Sequence, residues 1–322
     1  MKKIWIFAER QIDVIHPCFY ELLGKAKELY PDAEMTALYF DGNERCLEEL
    51  KRSGVNRIIL AKHPKLEQYE PEYYAEAMED AVKKEQPDIL LIGATAIGSE
   101  LAPTVAAKCE TGLAAHCADL CTDEHGELVT LIPAFGGKLL GEIMVPATFP
   151  AMATVKPGTF ERKDVEIPAS VETESMDTAF LDRLDSRITL VGMEDEPHQG
   201  ENIENAEVIL CAGLGIQSKE NWEKAQKLAG RLKGVLGYTR PAVDMGYVSN
   251  EDRMIGTSGK MVHPKLYIGI GVSGAAHHIC GMKDSQVIIS INSDPTAEIF
   301  KISDYKLVGD STAVLDELLK CL

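Results

Sequence analysis

Gly269-x-Gly271-x-x-Gly274, running directly into Ala275, Ala276, His277 and His278, has residue types and a spacing that could do chemistry. It follows the apolar run Leu266-Tyr267-Ile268, so a buried strand would pass through glycines into a helix. Such a turn places backbone N–H groups at the positive end of a helix dipole. Glycine there lets a ligand's phosphates approach the main chain. Tight strand–helix packing would use the same letters without any ligand, and the pattern alone leaves both open. A nicotinamide dinucleotide would want an acidic ribose partner about twenty residues on; Asn292 stands there instead. Neighbouring residues of a helix point about 100° apart, so at most one of His277 and His278 faces a ligand.

Other candidate groups sit where apolar runs end. GYTRPAVDMG carries Thr239 and Arg240, with Asp244 close behind. Pro241 disfavours helix geometry at Arg240 and could turn its side chain towards a ligand; the plainer alternative is an ion pair with Asp244. IGTSGK offers Ile255, Gly256, Thr257 and Ser258, but Met261 follows Lys260 and breaks the P-loop pattern. The eight cysteines contain no C-x-x-C, and the closest metal-like spacing is His116-Cys117-x-x-x-Cys121. Reduced cysteines packed as small apolar residues fit that spacing better than a metal. No nucleophile paired with a base is evident, and no catalytic residue is assigned.

The elements that must position these groups alternate. KKIWIFAE, EMTALYF, NRIILA and DILLIGAT are apolar runs of strand length. CFYELLGKAKELY and EPEYYAEAMEDAVKKE between them have helical spacing. LVTLIPAFGGKLLGEIMVPATFPAMATVKPGTF reads as further strands with Gly/Pro turns. After the polar, acidic stretch LVGMEDEPHQGENIENAE a second series follows: EVILCAG, the helix SKENWEKAQKLAGRLKG, KLYIGIG, the helix SGAAHHICG, QVIISIN, KLVGD and the helix STAVLDELLKC. The chain is therefore α/β, with two Rossmann-like domains, each a mostly parallel sheet flanked by helices. The expected division is 1–195, ending in an acidic linker, and 196–322.

Composition excludes partners better than it names them. A formal charge of -18 argues against nucleic acid and anionic membranes. The N-terminal run IWIFA is too short for a signal-peptide core. No stretch reaches the roughly 18 consecutive apolar residues of a membrane span. A cytoplasmic protein is expected.

Taken together, GYTRPAVDMG, IGTSGKMVHPKLYIGIGVSGAAHHICGMKDS, ISINSDPTAEIF and SDYKLVGD closely resemble the electron transfer flavoprotein alpha subunit, also called the FixB family. The resemblance covers residues 207–322 in order. It extends more loosely over the first half, through GATAIGSELAPTVAAK and TVKPGTF. It implies FAD held by the second domain and a beta subunit completing a heterodimer. It further implies electrons taken from a flavin-dependent dehydrogenase, such as an acyl-CoA dehydrogenase, or shared in a bifurcating complex. Carried over by position, Thr239 and Arg240 would lie at the flavin ring and Ile255, Gly256, Thr257 and Ser258 at its edge. Ser273, Gly274, Ala275, Ala276, His277 and His278 would wrap the cofactor, with His278 facing the ring and His277 outside. Asn292, Asp310 and Ser311 would take the ribose and adenine side. Leu214 stands where the family often has arginine, and Thr257 where glutamine is common. Two other readings remain: an NAD-dependent dehydrogenase using the Gly269–Gly274 loop, and an AMP-binding module hinted at by Ser99 and Glu100 in the first domain.

Overall fold

Strand β1, Lys3–Phe7, has no polar side, because it divides its side chains between two cores. Ile4 and Ile6 enter one apolar cluster and Trp5 and Phe7 the other. This is the pattern of a strand buried on both faces of a parallel sheet. The computed structural model describes residues 1–134, 139–145, 148–163, 165–188, 190–192, 202–248 and 252–321. The expected acidic linker therefore lies largely outside the described residues.

Two compact units divide the chain, the first Met1–Ala134 with Leu139–Glu194, the second holding Asp195–Leu322 and the short segment 135–138. In the first, β1 is joined by β2 (Glu34–Phe40), β3 (Arg57–Ala61), β4 (Ile89–Gly93), β5 (Leu113–Cys117), β6 (Ala151–Val155) and β7 (Glu172–Ser175). All pairs are parallel, in the order β7-β3-β2-β1-β4-β6-β5. Helix α1 (Cys18–Leu29) sends Cys18, Phe19, Leu22, Leu23 and Ala26 into one core. Helices α3 (Pro71–Glu85) and α4 (Ala96–Lys108) cover the other face with Tyr74, Met78, Leu101 and Val105 among others. Between α1 and α3 lies α2 (Glu44–Lys51), capped by Asn43, whose side chain accepts from the Arg45 and Cys46 amides. A three-stranded antiparallel sheet of Asp119–Thr122, Leu128–Ala134 and Leu139–Ile143 follows β5.

The second unit has five parallel strands: β8 (Val208–Ala212), β9 (Val235–Tyr238), β10 (Leu266–Ile270), β11 (Ile288–Asn292) and β12 (Tyr305–Val308). Their order is β9-β8-β10-β11-β12. Helices α5 (Lys219–Arg231), α6 (Arg240–Asp244) and α8 (Ser311–Cys321) pack on one face, where Trp222, Leu228, Ala242 and Leu315 meet Leu210 and Ile270. The other face is closed differently. Ile203, Ile255, Val262, Val272, Met282, Ile299 and Phe300 come from short turns and loops. The only α-helix on that side among the described residues is α7, Ala276–Ile279, a single turn. That face is where the glycine-bearing loops lie.

Candidate functional site

An open parallel sheet binds ligands outside the carboxyl ends of its strands, at the point where the strand order reverses. In the second unit this point lies between β8 and β10, because β8 is followed by β9 on one side and β10 adds on the other. Gly213 and Gly215, after β8, meet Gly271, after β10. The Gly213 amide donates to the Ile270 carbonyl at 2.9 Å and the Gly215 amide to Gly271 at 3.0 Å. A Cβ on Gly213 would lie 2.2 Å from the Gly271 oxygen, and Gly271 has φ +65°. Gly274, with φ +83°, is pressed against the Ile299 amide, 2.1 Å from where its Cβ would be. Gly271 and Gly274 thus serve packing first. What is left for a ligand is the main chain itself: the N–H groups of Ser273, Gly274 and Ala275 donate to no acceptor among the described residues. The helix expected after them is only the four-residue α7, so few peptide dipoles align there. Backbone donors outweigh the dipole at this turn.

The candidate cofactor residues named from the sequence lie at or near the C-terminal ends of strands of this sheet. Thr239 and Arg240 follow β9; Ser273–His278 follow β10; Asn292 ends β11; Asp310 and Ser311 follow β12. The loop Ile255–Ser258 reaches the same edge along β9, its Ile255 amide donating to the Tyr238 carbonyl at 2.9 Å. It is tied across to the segment after β10, where the Thr257 amide donates to the His277 carbonyl at 2.9 Å. Ser258 is exposed.

Arg240 differs from the expectation. It is the first residue of α6, not a residue turned out of helix geometry, and Pro241 is accommodated because the first helical N–H groups lack intrahelical partners anyway. Its guanidinium still projects outward, with the side chain 69% exposed, and its ion pair to Asp244 is long at 4.0 Å. Thr239 stands at the N-cap position of α6, makes no side-chain capping bond there, and is buried.

The two histidines also diverge, as expected of neighbours about 100° apart on a helix. His277 is exposed, its Nδ1 3.0 Å from the Thr257 hydroxyl. His278 is 6% exposed and points into the core. Its Nδ1 lies 3.0 Å from the Ile255 carbonyl, and its Nε2 lies 2.7 Å from the Tyr267 hydroxyl. A carbonyl only accepts, so Nδ1 carries the proton, and Nε2 accepts from Tyr267. Burial lowers the His278 pKa to about 4 and raises the neighbouring Cys211 thiol to about 12. The imidazole is therefore neutral at ordinary pH. The cause is position: the single turn of α7 places 278 on its inner side, against Tyr267 of β10. Tyr267 and Cys211 drew no notice in the sequence, since both read as members of apolar strands.

On the far side of the edge the polar groups are already engaged. The Asn292 amide donates to the Val272 carbonyl at 2.8 Å and its oxygen accepts from the Asp294 amide. Asp310 accepts from the Ala313 amide at 2.9 Å, capping α8, and Ser311 is buried. Leu214, in the β8 loop, is half-exposed. In the first unit, Cys117 is buried and donates to the Ala114 carbonyl. Sequence reasoning also passed over Glu9, at the equivalent reversal point between β1 and β4. The Thr95 hydroxyl donates to it at 2.6 Å, and burial raises its pKa to about 7.

Two family models match the chain. One described as the electron transfer flavoprotein domain covers residues 4–180, and one described as the electron transfer flavoprotein FAD-binding domain covers residues 202–283. The chain is similar to Protein FixB of Clostridium saccharobutylicum, at 36% identity over 99% of this chain and 95% of that protein. It is 37% identical to the electron transfer flavoprotein subunit alpha of Clostridium acetobutylicum, over 99% and 96%. With the lactate dehydrogenase (NAD(+),ferredoxin) subunit LctC of Acetobacterium woodii it shares 34% over 98% of this chain and 76% of that one. None of the described helices is long and apolar enough to cross a membrane.

Proposed function

Because the chain belongs to the electron transfer flavoprotein alpha-subunit family, we propose that it holds FAD on the C-terminal edge of its second sheet and works as one half of an electron carrier. The observation that carries this reading is the convergence of separate loops, from Thr239 to Ser311, on one edge of one sheet, with three unpaired N–H groups at its centre. FAD, when bound, supplies the one- and two-electron chemistry. The protein's own groups bind and orient it. The Ser273, Gly274 and Ala275 amides suit phosphate oxygens, Ser258 offers a hydroxyl, and Arg240 offers a positive charge at an exposed position. Asn292 and Asp310, already bonded within the protein, can contribute only their remaining acceptor positions.

The partner in this reading is a beta subunit, and the donor is a flavin-dependent dehydrogenase such as an acyl-CoA dehydrogenase. Eight cysteines, none in a disulfide, suit a reducing cytoplasm. Likeness to a subunit whose name carries both NAD(+) and ferredoxin favours a second form of the same reading, in which the carrier serves a complex that divides electrons between two acceptors. The test is production with and without the beta subunit, followed by gel filtration monitored at the flavin band. A yellow heterodimer and a colourless single chain are expected. A stable yellow monomer would refute the shared site, and a colourless heterodimer would refute FAD.

A further inference from the structure

The segment Ile255–Ser258 has to be held in place by something, because it belongs to no strand or helix of length. Its ties to neighbouring elements include the Ile255 amide on Tyr238, the Thr257 amide on His277, and the Ile255 carbonyl on His278 Nδ1, while the Gly256 amide donates to the Lys260 carbonyl within the loop. The tie to His278 is made by a side chain, as is the contact of the Thr257 hydroxyl with His277 Nδ1 at 3.0 Å, but it alone reaches the segment from the core. It exists only while His278 keeps its proton on Nδ1, and a neutral imidazole in water prefers neither nitrogen strongly enough to guarantee that. The Ile255 carbonyl, which only accepts, calls for that tautomer, and the Tyr267 hydroxyl reinforces it by donating to the other nitrogen. The Tyr267 ring is fully buried in β10, and its hydroxyl lies 2.7 Å from Nε2. The Cys211 sulfur is 3.9 Å from the same nitrogen and is too weak a donor to replace it.

We propose that Tyr267 is a positioning residue of the cofactor site: by donating to His278 Nε2 it reinforces the Nδ1–H tautomer that pins the Ile255 carbonyl, and so helps set the Ile255–Ser258 loop for the flavin. The inference rests on the flavin reading for its last step, and on geometry alone for the first two. Tyr267 touches no ligand itself. It acts through His278, across a relay of three buried residues. A packing role alone would be filled equally well by phenylalanine, which has the same ring. The hydroxyl is what the relay requires.

The experiment compares Tyr267→Phe with the unaltered protein, first as the single chain without flavin and then as the heterodimer. Imidazole nitrogen shifts of His278 should show one protonated Nδ1 in the unaltered chain and a mixture of tautomers in Tyr267→Phe. Amide exchange should accelerate about tenfold at Gly256, Thr257 and Lys260, the size of one lost hydrogen bond, while strand amides of β8 and β10 keep their protection. In the heterodimer, FAD should dissociate several-fold faster. Unchanged nitrogen shifts in Tyr267→Phe would overturn the relay outright. Uniform acceleration across the whole unit would overturn it in favour of a packing role. Altered shifts and local exchange with unchanged FAD release would overturn the link to the cofactor. An unaltered heterodimer devoid of FAD would sink the flavin reading instead, leaving the shifts to decide the relay by themselves. His278→Asn, which can still donate to Ile255 without a tautomer to choose, should keep loop exchange insensitive to Tyr267→Phe.

Discussion

Arg240 and the histidine pair divide the labour of single residues in a way the substitutions can read. A guanidinium is cationic at any working pH. At the edge of a flavin it would favour whatever negative charge the ring gains. One charge at about 5 Å in an effective dielectric of about 20 amounts to roughly 3 kcal/mol before solvent screening. With most of the Arg240 side chain exposed, a shift of tens of millivolts is the expected scale, since about 1.4 kcal/mol is roughly 59 mV for one electron. Arg240→Ala should thus make the first reduction step more negative with FAD still bound, measured by redox titration of the heterodimer. Its thermal midpoint should hardly change, because an exposed pair at 4.0 Å contributes little. The histidines should behave in opposite ways. His278→Ala removes a buried ring and two hydrogen bonds and should cost about 2–4 kcal/mol in denaturant unfolding. His277→Ala, at the surface, should stay within about 0.5 kcal/mol. Equal losses would show that the inward orientation of His278 is wrong.

Among elements, the clasp of Gly213 and Gly215 on Gly271 is the least replaceable. Gly213→Ala drives a Cβ into the Gly271 carbonyl, so backbone must move at the centre of the sheet. A loss above about 2 kcal/mol is expected, whereas Gly230→Ala, with open space around it, should be neutral or stabilising. Unfolding curves of the two variants make the comparison. Much at this scale was legible in the sequence. Continuous apolar runs such as Ile4–Phe7 and Ile209–Ala212 betray strands buried on both faces, and Ser218 caps α5, accepting from the Asn221 amide. The short α2 escaped notice, because only Cys46 and Leu50 of its eight residues are buried. Periodicity also could not say that SGAAHHICG stops after one turn, since the loops that truncate it, around Gly256 and Ile299, are distant in sequence. The inward turn of His278 was hidden for the same reason. Its partners Tyr267 and Ile255 are chosen by tertiary packing, not by spacing.

For the whole molecule, each unit carries a titratable group whose pKa burial shifts, and the two shifts have opposite sign. Glu9 in the first unit has its pKa raised from 4.5 to about 7 by burial. The folded state holds its proton more tightly, so that contribution is present below about pH 4.5 and lost as pH rises through 7. His278 in the second is lowered from 6.5 to about 4. There the unfolded chain binds the proton, so stability is full above about pH 6.5 and lost as pH falls towards 4. Each group can change stability by at most about 1.4 kcal/mol per pH unit. Acidification from pH 7 to 5 should raise the thermal midpoint of the first unit and lower that of the second, with Glu9→Gln and His278→Asn each flattening one trend. Calorimetry at several pH values is the check, and midpoints moving together would refute the assignment. The strand order has a consequence in time as well. β8 pairs with β10 from Val208↔Leu266 onward, so the middle of the second sheet waits for a long stretch of chain to be made and closed up. Contacts between Gly213 and Gly271 then belong late on the folding path. Gly213→Ala should accelerate unfolding while leaving the refolding rate nearly untouched; the edge proposed for the ligand closes only once β8 and β10 have found each other.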